Sequence, residues 1–131
     1  MSGNSRDSRG QSLVELALLM PFLLWIAAGI VDFGRVYHYD IVVINAARSG
    51  ARVAADIRKT DSDVRTAVES DAAPVAIAGS DISITPSGIR TSGTTVTVTV
   101  TYRFTPITPL VGAIFPGGTV TISRSATMVV L

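Results

Sequence analysis

The 131-residue sequence contains no cysteine, one lysine (Lys59) and one histidine (His38). Without cysteine the chain forms no disulfide bond and performs no thiol chemistry, so its folded parts are held by packing alone. A net charge of +1 and scattered arginines give no basic surface for nucleic acid. A lone histidine supplies no Ser-His-Asp triad, and neither a G-x-S-x-G elbow nor a G-x-x-x-x-G-K-S/T phosphate loop occurs. These features favour a non-enzymatic protein without cofactor, metal or small-molecule substrate.

A long apolar segment dominates the N-terminal third of the chain. It runs from Leu13 to Val31 and contains one ionisable residue, Glu15. As a helix, its 19 residues rise about 28 Å, close to the ~30 Å hydrocarbon core of a bilayer. The sequence therefore predicts a transmembrane helix. An unpaired charge at the bilayer centre costs roughly 2.5 kcal/mol or more, so Glu15 needs a partner, and the segment contains no base.

A cut after Gly10 supplies that partner. Gln11 then begins the chain with a free amine, one helical turn from the Glu15 carboxylate. The preceding residues 1–10 are polar, rich in serine and glycine and without periodicity, so they are predicted to form a disordered leader. A polar leader, a glycine, four residues, a glutamate and an apolar helix, in this order, resemble the prepilin peptidase signature of type IV pilin-like proteins.

Longer strings extend this resemblance to one branch of the pilin-like proteins. RGQSLVELALLMPFLLW, DFGR at 32–35 and NAARSGARVAA at 45–55 are similar to parts of TadE-like proteins, the minor pilin-like subunits (pseudopilins) of bacterial tight-adherence pili. The resemblance implies a structural subunit of a type IVc-like pilus, cut by prepilin peptidase between Gly10 and Gln11. It also implies partners, namely other pilin-like subunits and the pilus assembly platform, and a place in the bacterial cytoplasmic membrane.

Flanking charge predicts the orientation in the bilayer. Arg6 and Arg9 precede the apolar segment, whereas Arg35 is the only base within about 15 residues after it. The positive-inside rule therefore predicts a cytoplasmic N-terminus and an exported C-terminal part.

Two alternatives to a processed pilin-like subunit are an unprocessed single-pass protein with an exported binding domain, and a secreted domain released by signal cleavage near residues 27–29. Against the second, the apolar segment exceeds the roughly 7–15 residues of a signal h-region and contains a glutamate.

Three positions in and beside the apolar segment carry local predictions. Pro21 is predicted to kink the helix, because proline removes a backbone donor and clashes with the preceding turn. This kink is either an ordinary feature of membrane helices or a hinge used during packing into a filament. Asp32 and Arg35 lie three residues apart, so they are predicted to pair on one helix face at the membrane surface.

Small residues form two columns beyond the membrane segment, within a helix predicted to run from about Gln11 to Ile57 over about 70 Å. Such columns let another backbone approach closely. They pack either on the chain's own β-sheet or on a helix of a neighbouring subunit, and a long helix in a filament could do both at different heights. The columns contain Ala46, Gly50 and Ala54, and Ala47, Ala51 and Ala55.

Residues 59–131 are predicted to form a small exported α/β domain. Thr60, followed by Asp63, is typical of a helix N-cap, and alternating apolar and polar residues predict strands near Ile82–Ile84, 94–104 and 119–130. Residues 105–118 contain three prolines and three glycines and are predicted to be a loop. The apolar Leu110–Phe115 within it is interpreted as a cover over the core, the alternative being an exposed docking patch.

The fold class predicted from these patterns is α+β and pilin-like. A long transmembrane helix continues into a small exported domain with a second short helix and an antiparallel sheet of about three strands. Residues 1–10 form the leader, 11–35 the transmembrane helix, 36–58 its exported continuation and 59–131 the exported domain. Neither nucleic acid nor a small molecule is among the expected partners, and the lipid bilayer is.

Overall fold

A computed structural model describes residues 5–73 and 75–131. These residues form three helices, three strands and two single-turn 3₁₀ helices, which confirms the predicted α+β class. The sheet is antiparallel with strand order β1-β2-β3, and it packs on the C-terminal part of the first helix. The elements are α1 (Ser5–Ala54), α2 (Asp61–Asp71), β1 (Ile82–Thr85), β2 (Thr95–Phe104), α3 (Pro109–Ile114) and β3 (Val120–Val129), with 3₁₀ turns at Gly79–Asp81 and Pro116–Gly118.

Helix α1 is longer at its start and shorter at its end than predicted. It begins at Ser5 instead of about Gln11, because the polar leader contains no proline and nothing stops the helix from extending backward. Residues 1–4 of the predicted leader lie outside the described residues. The helix ends at Ala54, where the Asp56 carboxylate accepts a hydrogen bond from the Arg58 amide at 2.9 Å and favours a turn over a further helical turn. Its 50 residues span about 75 Å.

The core lies between the C-terminal part of α1, the helix α2 and one face of the sheet. Valines at alternate positions of β2 (Val96, Val98 and Val100) are buried, while the intervening threonines point to the outer face. Burial of each valine side chain contributes roughly 1.5–3 kcal/mol. On the outer face, Thr97 of β2 and Thr127 of β3 share a hydrogen bond of 2.7 Å. The predicted arrangement, with one face of the sheet on the helix and one in water, is confirmed.

Gly50 is the point at which α1 comes closest to its neighbours. A Cβ atom built at this position would lie 2.5 Å from Cγ2 of Val68 in α2 and 3.1 Å from Cγ1 of Val98 in β2. Contacts under 3 Å force the surrounding backbone or side chains to move, and valine side chains have little rotamer freedom with which to do so. Only glycine therefore lets α1, α2 and the sheet meet at this distance.

Replacing Gly50 with alanine is expected to destabilise the domain by about 1–3 kcal/mol, because overpacking outweighs the gain in helix propensity of about 1 kcal/mol. Thermal or urea unfolding of the detergent-solubilised protein, followed by circular dichroism, measures the change. Gly34→Ala is the matched control, since a Cβ at Gly34 meets nothing within 4 Å. Equal or higher stability of Gly50→Ala would contradict the close packing described here.

Helix α2 begins with the predicted capping arrangement. The Thr60 hydroxyl oxygen accepts from the Asp63 amide at 3.3 Å, and the Asp63 carboxylate accepts from the Thr60 amide at 2.8 Å. Both bonds satisfy donors that a helix start otherwise leaves open, and such a cap contributes about 1 kcal/mol. Next to it, the buried guanidinium of Arg90 hydrogen-bonds the carboxylate of Asp61 and the carbonyl oxygen of Lys59, which holds the β1–β2 connection against this helix start.

Acid is expected to loosen this end of the domain. The two hydrogen bonds from Thr60 lower the pKa of Asp63, and Arg58 lowers the pKa of Asp56 to about 2. Because the folded-state pKa lies below the ordinary value of 3.8, the stabilisation is complete from about pH 5 upward and is lost progressively as the pH falls towards 2. The thermal midpoint should therefore be level from pH 7 to 5 and decline below pH 4. Asp63→Asn and Asp56→Asn should each reduce that decline, and an unchanged pH profile in both variants would be evidence against this origin.

The connection between β2 and β3 differs from the predicted loop. It contains the six-residue helix α3, which begins with Pro109 after Thr108 at the N-cap position. Proline is favoured at the first helical position because its missing N–H has no helical partner there. The interpretation of this segment as a cover over the core is wrong for Ile114 and Phe115, since both side chains are exposed. The side chains of residues 110 and 111 lie outside the described part.

Candidate functional site

The predicted cleavage and charge-pairing residues occupy the first turns of α1. Gly10, Gln11 and Glu15 are all exposed, and a Cβ at Gly10 would meet nothing within 4 Å. The Gln11 side-chain amide donates to the Glu15 carboxylate at 3.3 Å, so the two residues share one helix face. The backbone nitrogen that a cut would turn into the terminal amine belongs to the same residue 11. The roles of Gly10, Gln11 and Glu15 in processing and assembly remain predictions.

Among the described residues, no other element covers the apolar segment from Leu13 to Val31. Almost every side chain along it is exposed, and the helix is long and apolar enough to cross a bilayer. A continuous apolar surface of this extent is not stable in water and marks contact with lipid or with other proteins. A single-pass membrane protein fits this surface. The helix runs through Pro21 without a break, and the predicted kink there remains a prediction.

Asp32, one residue beyond the apolar segment, is 2% exposed and binds the β2–β3 connection. Its carboxylate accepts hydrogen bonds from the backbone amides of Ile107 at 3.0 Å and Thr108 at 2.8 Å. Arg35 lies 3.3 Å from the same carboxylate, so the structure brings the predicted Asp32–Arg35 pair together. Two amide donors and one guanidinium satisfy the carboxylate and offset the desolvation of its charge.

Arg35 joins Asp32 to an aromatic cluster beneath the sheet. Its guanidinium lies 4.8 Å from the ring centroid of Phe104 and 5.8 Å from that of Tyr39. The Tyr39 ring meets the rings of Phe104 and Tyr102 at 5.4 and 5.3 Å. Cation–π and aromatic contacts each contribute about 0.5–1.5 kcal/mol. The two charged residues of the DFGR string therefore fasten both the end of β2 and the following connection to α1.

Sequence reasoning found the Asp32–Arg35 pair and missed the larger part of this site. The Asp32 acceptors are met by amides 75 and 76 positions further along the chain. Backbone donors carry no residue-type signal, so no side-chain pattern pointed to them. One feature of the sequence did indicate an ordered connection. The two prolines of TPITP at 105–109 leave few free amides and hold the connection extended before α3.

The two columns of small residues face the chain's own core. Each member is buried, and Gly50 approaches both α2 and β2. The geometry thus matches the first of the two alternatives, packing on the chain's own sheet. The exposed face of the same helix stretch carries Asn45, Arg48 and Arg52. The buried residues are Ala46, Ala47, Gly50, Ala51, Ala54 and Ala55.

An ion pair between Arg124 and Asp40 holds strand β3 to helix α1. Arg124, which interrupts the apolar face of β3, lies 2.7 Å from the Asp40 carboxylate in α1. Asp32 and Asp40 are eight residues apart, so two carboxylates of α1 secure β3 and the connection that leads into it. Within residues 5–73 and 75–131, no group of three or more His, Cys, Asp or Glu side chains is placed to hold a metal ion.

Comparison with known proteins agrees with the N-terminal pattern. A family model described as TadE-like protein matches residues 10–52, about a third of the chain. No curated protein and no solved structure shows significant similarity. The matched range contains the predicted cleavage motif, the apolar segment, the DFGR string and the first part of the small-residue columns. The predicted resemblance to TadE-like proteins is confirmed over this range.

Proposed function

We propose that this chain is a minor pilin-like subunit that helps to build a tight-adherence pilus. One observation carries this proposal: within a TadE-like segment, an unpartnered apolar helix continues without a break into a packed domain. From Leu16 to Val31, α1 offers only side chains that lipid or other apolar helices can cover, and its C-terminal half forms the spine of the sheet domain. Such a chain is suited to pass from bilayer to filament with its domain on the outside.

In this proposal the precursor inserts through Leu13–Val31 with its N-terminus in the cytoplasm and its domain exported. Arg6 and Arg9 before the segment favour this orientation. Prepilin peptidase then cuts between Gly10 and Gln11. The exposed position of Gly10, with open space around it, is consistent with access by an enzyme once this turn of α1 unwinds.

After the cut, Glu15 pairs with a terminal amine, its own or that of a neighbouring subunit. The 3.3 Å contact between the Gln11 amide and Glu15 supports this pairing, because it places residue 11 within reach of the carboxylate. A neutralised carboxylate can move laterally from lipid into a bundle of apolar helices at much lower cost than a bare one. Pairing therefore couples processing to assembly.

Processing is tested by the intact mass and N-terminal sequence of the membrane-extracted protein, with and without prepilin peptidase. We expect a peptidase-dependent start at Gln11, and Gly10→Leu should leave the longer precursor. Gly29→Leu is the matched control, because Gly29 also lies in α1 with open space around it and should not affect the cut. A start at Met1 in the presence of peptidase would instead support an unprocessed single-pass protein with an exported binding domain. A start near Ile30 would indicate a secreted domain.

A further inference from the structure

We propose that the connection between β2 and β3, from Thr105 to Phe115, is a second membrane contact that lies in the headgroup layer on the exported side. This inference rests on the proposed insertion of α1 and adds a surface that the single span does not supply. In this arrangement the protein touches the bilayer twice, once through the helix and once through the connection containing α3.

Asp32 sets the depth of the connection. It directly follows Val31, the last residue of the apolar segment, so it marks the boundary of the hydrocarbon core. The Ile107 and Thr108 amides are bonded to its carboxylate, and Pro109 then begins α3. The six residues of α3 extend about 9 Å. The headgroup layer is roughly 5–8 Å thick on each side, so much of α3 is held at or near its level.

The composition of the connection suits that layer. Residues 104–123 contain no Asp, Glu, Lys, Arg or His, which makes them the longest uncharged stretch of the chain, longer than the 16–31 stretch of the membrane helix. Ile107 and Ile114 are 69% and 72% exposed, and Phe115 is also exposed. Apolar side chains that face outward from a charge-free segment are costly in water and favourable at the boundary between headgroups and acyl chains.

Lipid is favoured as the occupant because Asp32 fixes the connection to α1 directly beside the apolar segment. Phe33 and Tyr37, the exposed aromatic residues just past the apolar segment, lie within five residues of Asp32 on the same helix. Aromatic rings at this position are typical of the interface belt of membrane proteins. Asp32 and Arg35, the charged groups of this region, are turned inward to each other and to the connection, so the surface that faces the bilayer is left without their charge.

The absence of cysteine allows a direct test by site-specific labelling. Ile114→Cys, labelled with the fluorophore NBD, is reconstituted as the full chain at low protein density in phosphatidylethanolamine–phosphatidylglycerol vesicles with nitroxide headgroup lipids. Ile89→Cys is the matched control, since Ile89 is 99% exposed and lies near Lys59, beyond the far end of α1. Leu18→Cys reports insertion of the span independently.

We expect a blue-shifted emission and loss of most NBD fluorescence to nitroxide lipid at Ile114, and neither at Ile89. Adding Ile114→Asp should return a label at Ile107→Cys to a water-like spectrum. An Ile114 label that behaves like Ile89, while Leu18 reports lipid, overturns the inference and leaves the proposed function intact. Protection of Ile114 that appears only at high protein density means that a second copy covers the patch, which also overturns it. A Leu18 label in water overturns the membrane insertion itself.

Discussion

Replacing Asp32 with alanine is expected to free the β2–β3 connection from α1. The change leaves the Ile107 and Thr108 amides without their charged acceptor in a largely dry site and removes the partner of Arg35. Buried donors that lose a charged acceptor cost about 1–3 kcal/mol each, so we expect a local loss of roughly 2–4 kcal/mol. The global fold should survive, because the valine core and the capping box are remote from this site.

Hydrogen–deuterium exchange in lipid nanodiscs measures this loss at the right place. The first two residues of a peptide lose their label and prolines 106 and 109 have no amide, so a peptide covering residues 104–109 reports only Ile107 and Thr108. A loss of 2 kcal/mol or more should raise their exchange rate roughly thirtyfold or more. Asp32→Asn should give a large part of the effect, since one amide oxygen replaces two carboxylate oxygens. Asp71→Ala, at the exposed end of α2, should leave the peptide unchanged, and unchanged exchange in Asp32→Ala would contradict the anchoring role.

Replacing Glu15 with alanine is expected to leave insertion and cleavage intact while greatly reducing incorporation into pili. After the cut, the terminal amine would lose its partner, and an unpaired charge within the bilayer costs roughly 2.5 kcal/mol or more, or about sixtyfold in a lateral equilibrium. The amount of subunit in sheared pili, relative to the processed subunit in the membrane, gives the effect. Normal incorporation of Glu15→Ala would refute the pairing role.

Two further variants separate charge from contact at this site. Glu15→Gln keeps the shape and the hydrogen bond but removes the charge, so it should resemble alanine if the amine is the partner. Gln11→Ala removes the side-chain amide seen at 3.3 Å but leaves the terminal amine that processing creates. It should therefore assemble nearly as well as the wild type. If Gln11→Ala impairs assembly and Glu15→Gln does not, the amide is the partner and the amine is not.

The sequence predicted those parts of the fold that depend on neighbouring residues. Alternation in TVTVTVTYRF placed β2 and its buried face, and Thr60 with Asp63 placed the start of α2, because strand period and helix capping act over two to four positions. The predicted start of α1 was wrong. A polar segment without periodicity can still extend a helix that the adjacent apolar segment has nucleated.

Contacts between residues far apart in the chain could not be predicted from the sequence, because local patterns do not identify the partner. The column that contains Gly50 indicated a close approach to α1. A small residue does not show whether a valine of its own chain or a helix of another chain fills the space. Arg90 is buried against Asp61 and Lys59, yet an arginine in a connection rich in serine and glycine is typical of a surface residue. Asp32 could be paired with Arg35 from spacing alone, whereas its amide donors become visible only once the sheet brings residue 107 back to the helix.

The uninterrupted course of α1 has a mechanical consequence. One helix runs from the leader to Ala54, and its last turns are fixed between α2 and the sheet, so no flexible linker separates the membrane from the domain. A force or torque applied to the apolar end of α1 is therefore transmitted directly to the sheet. The Asp32 and Asp40 contacts resist bending of α1 just beyond its apolar segment. If the domain is exported as proposed, it should move together with α1, so that each axial displacement of the helix produces an equal displacement of the domain.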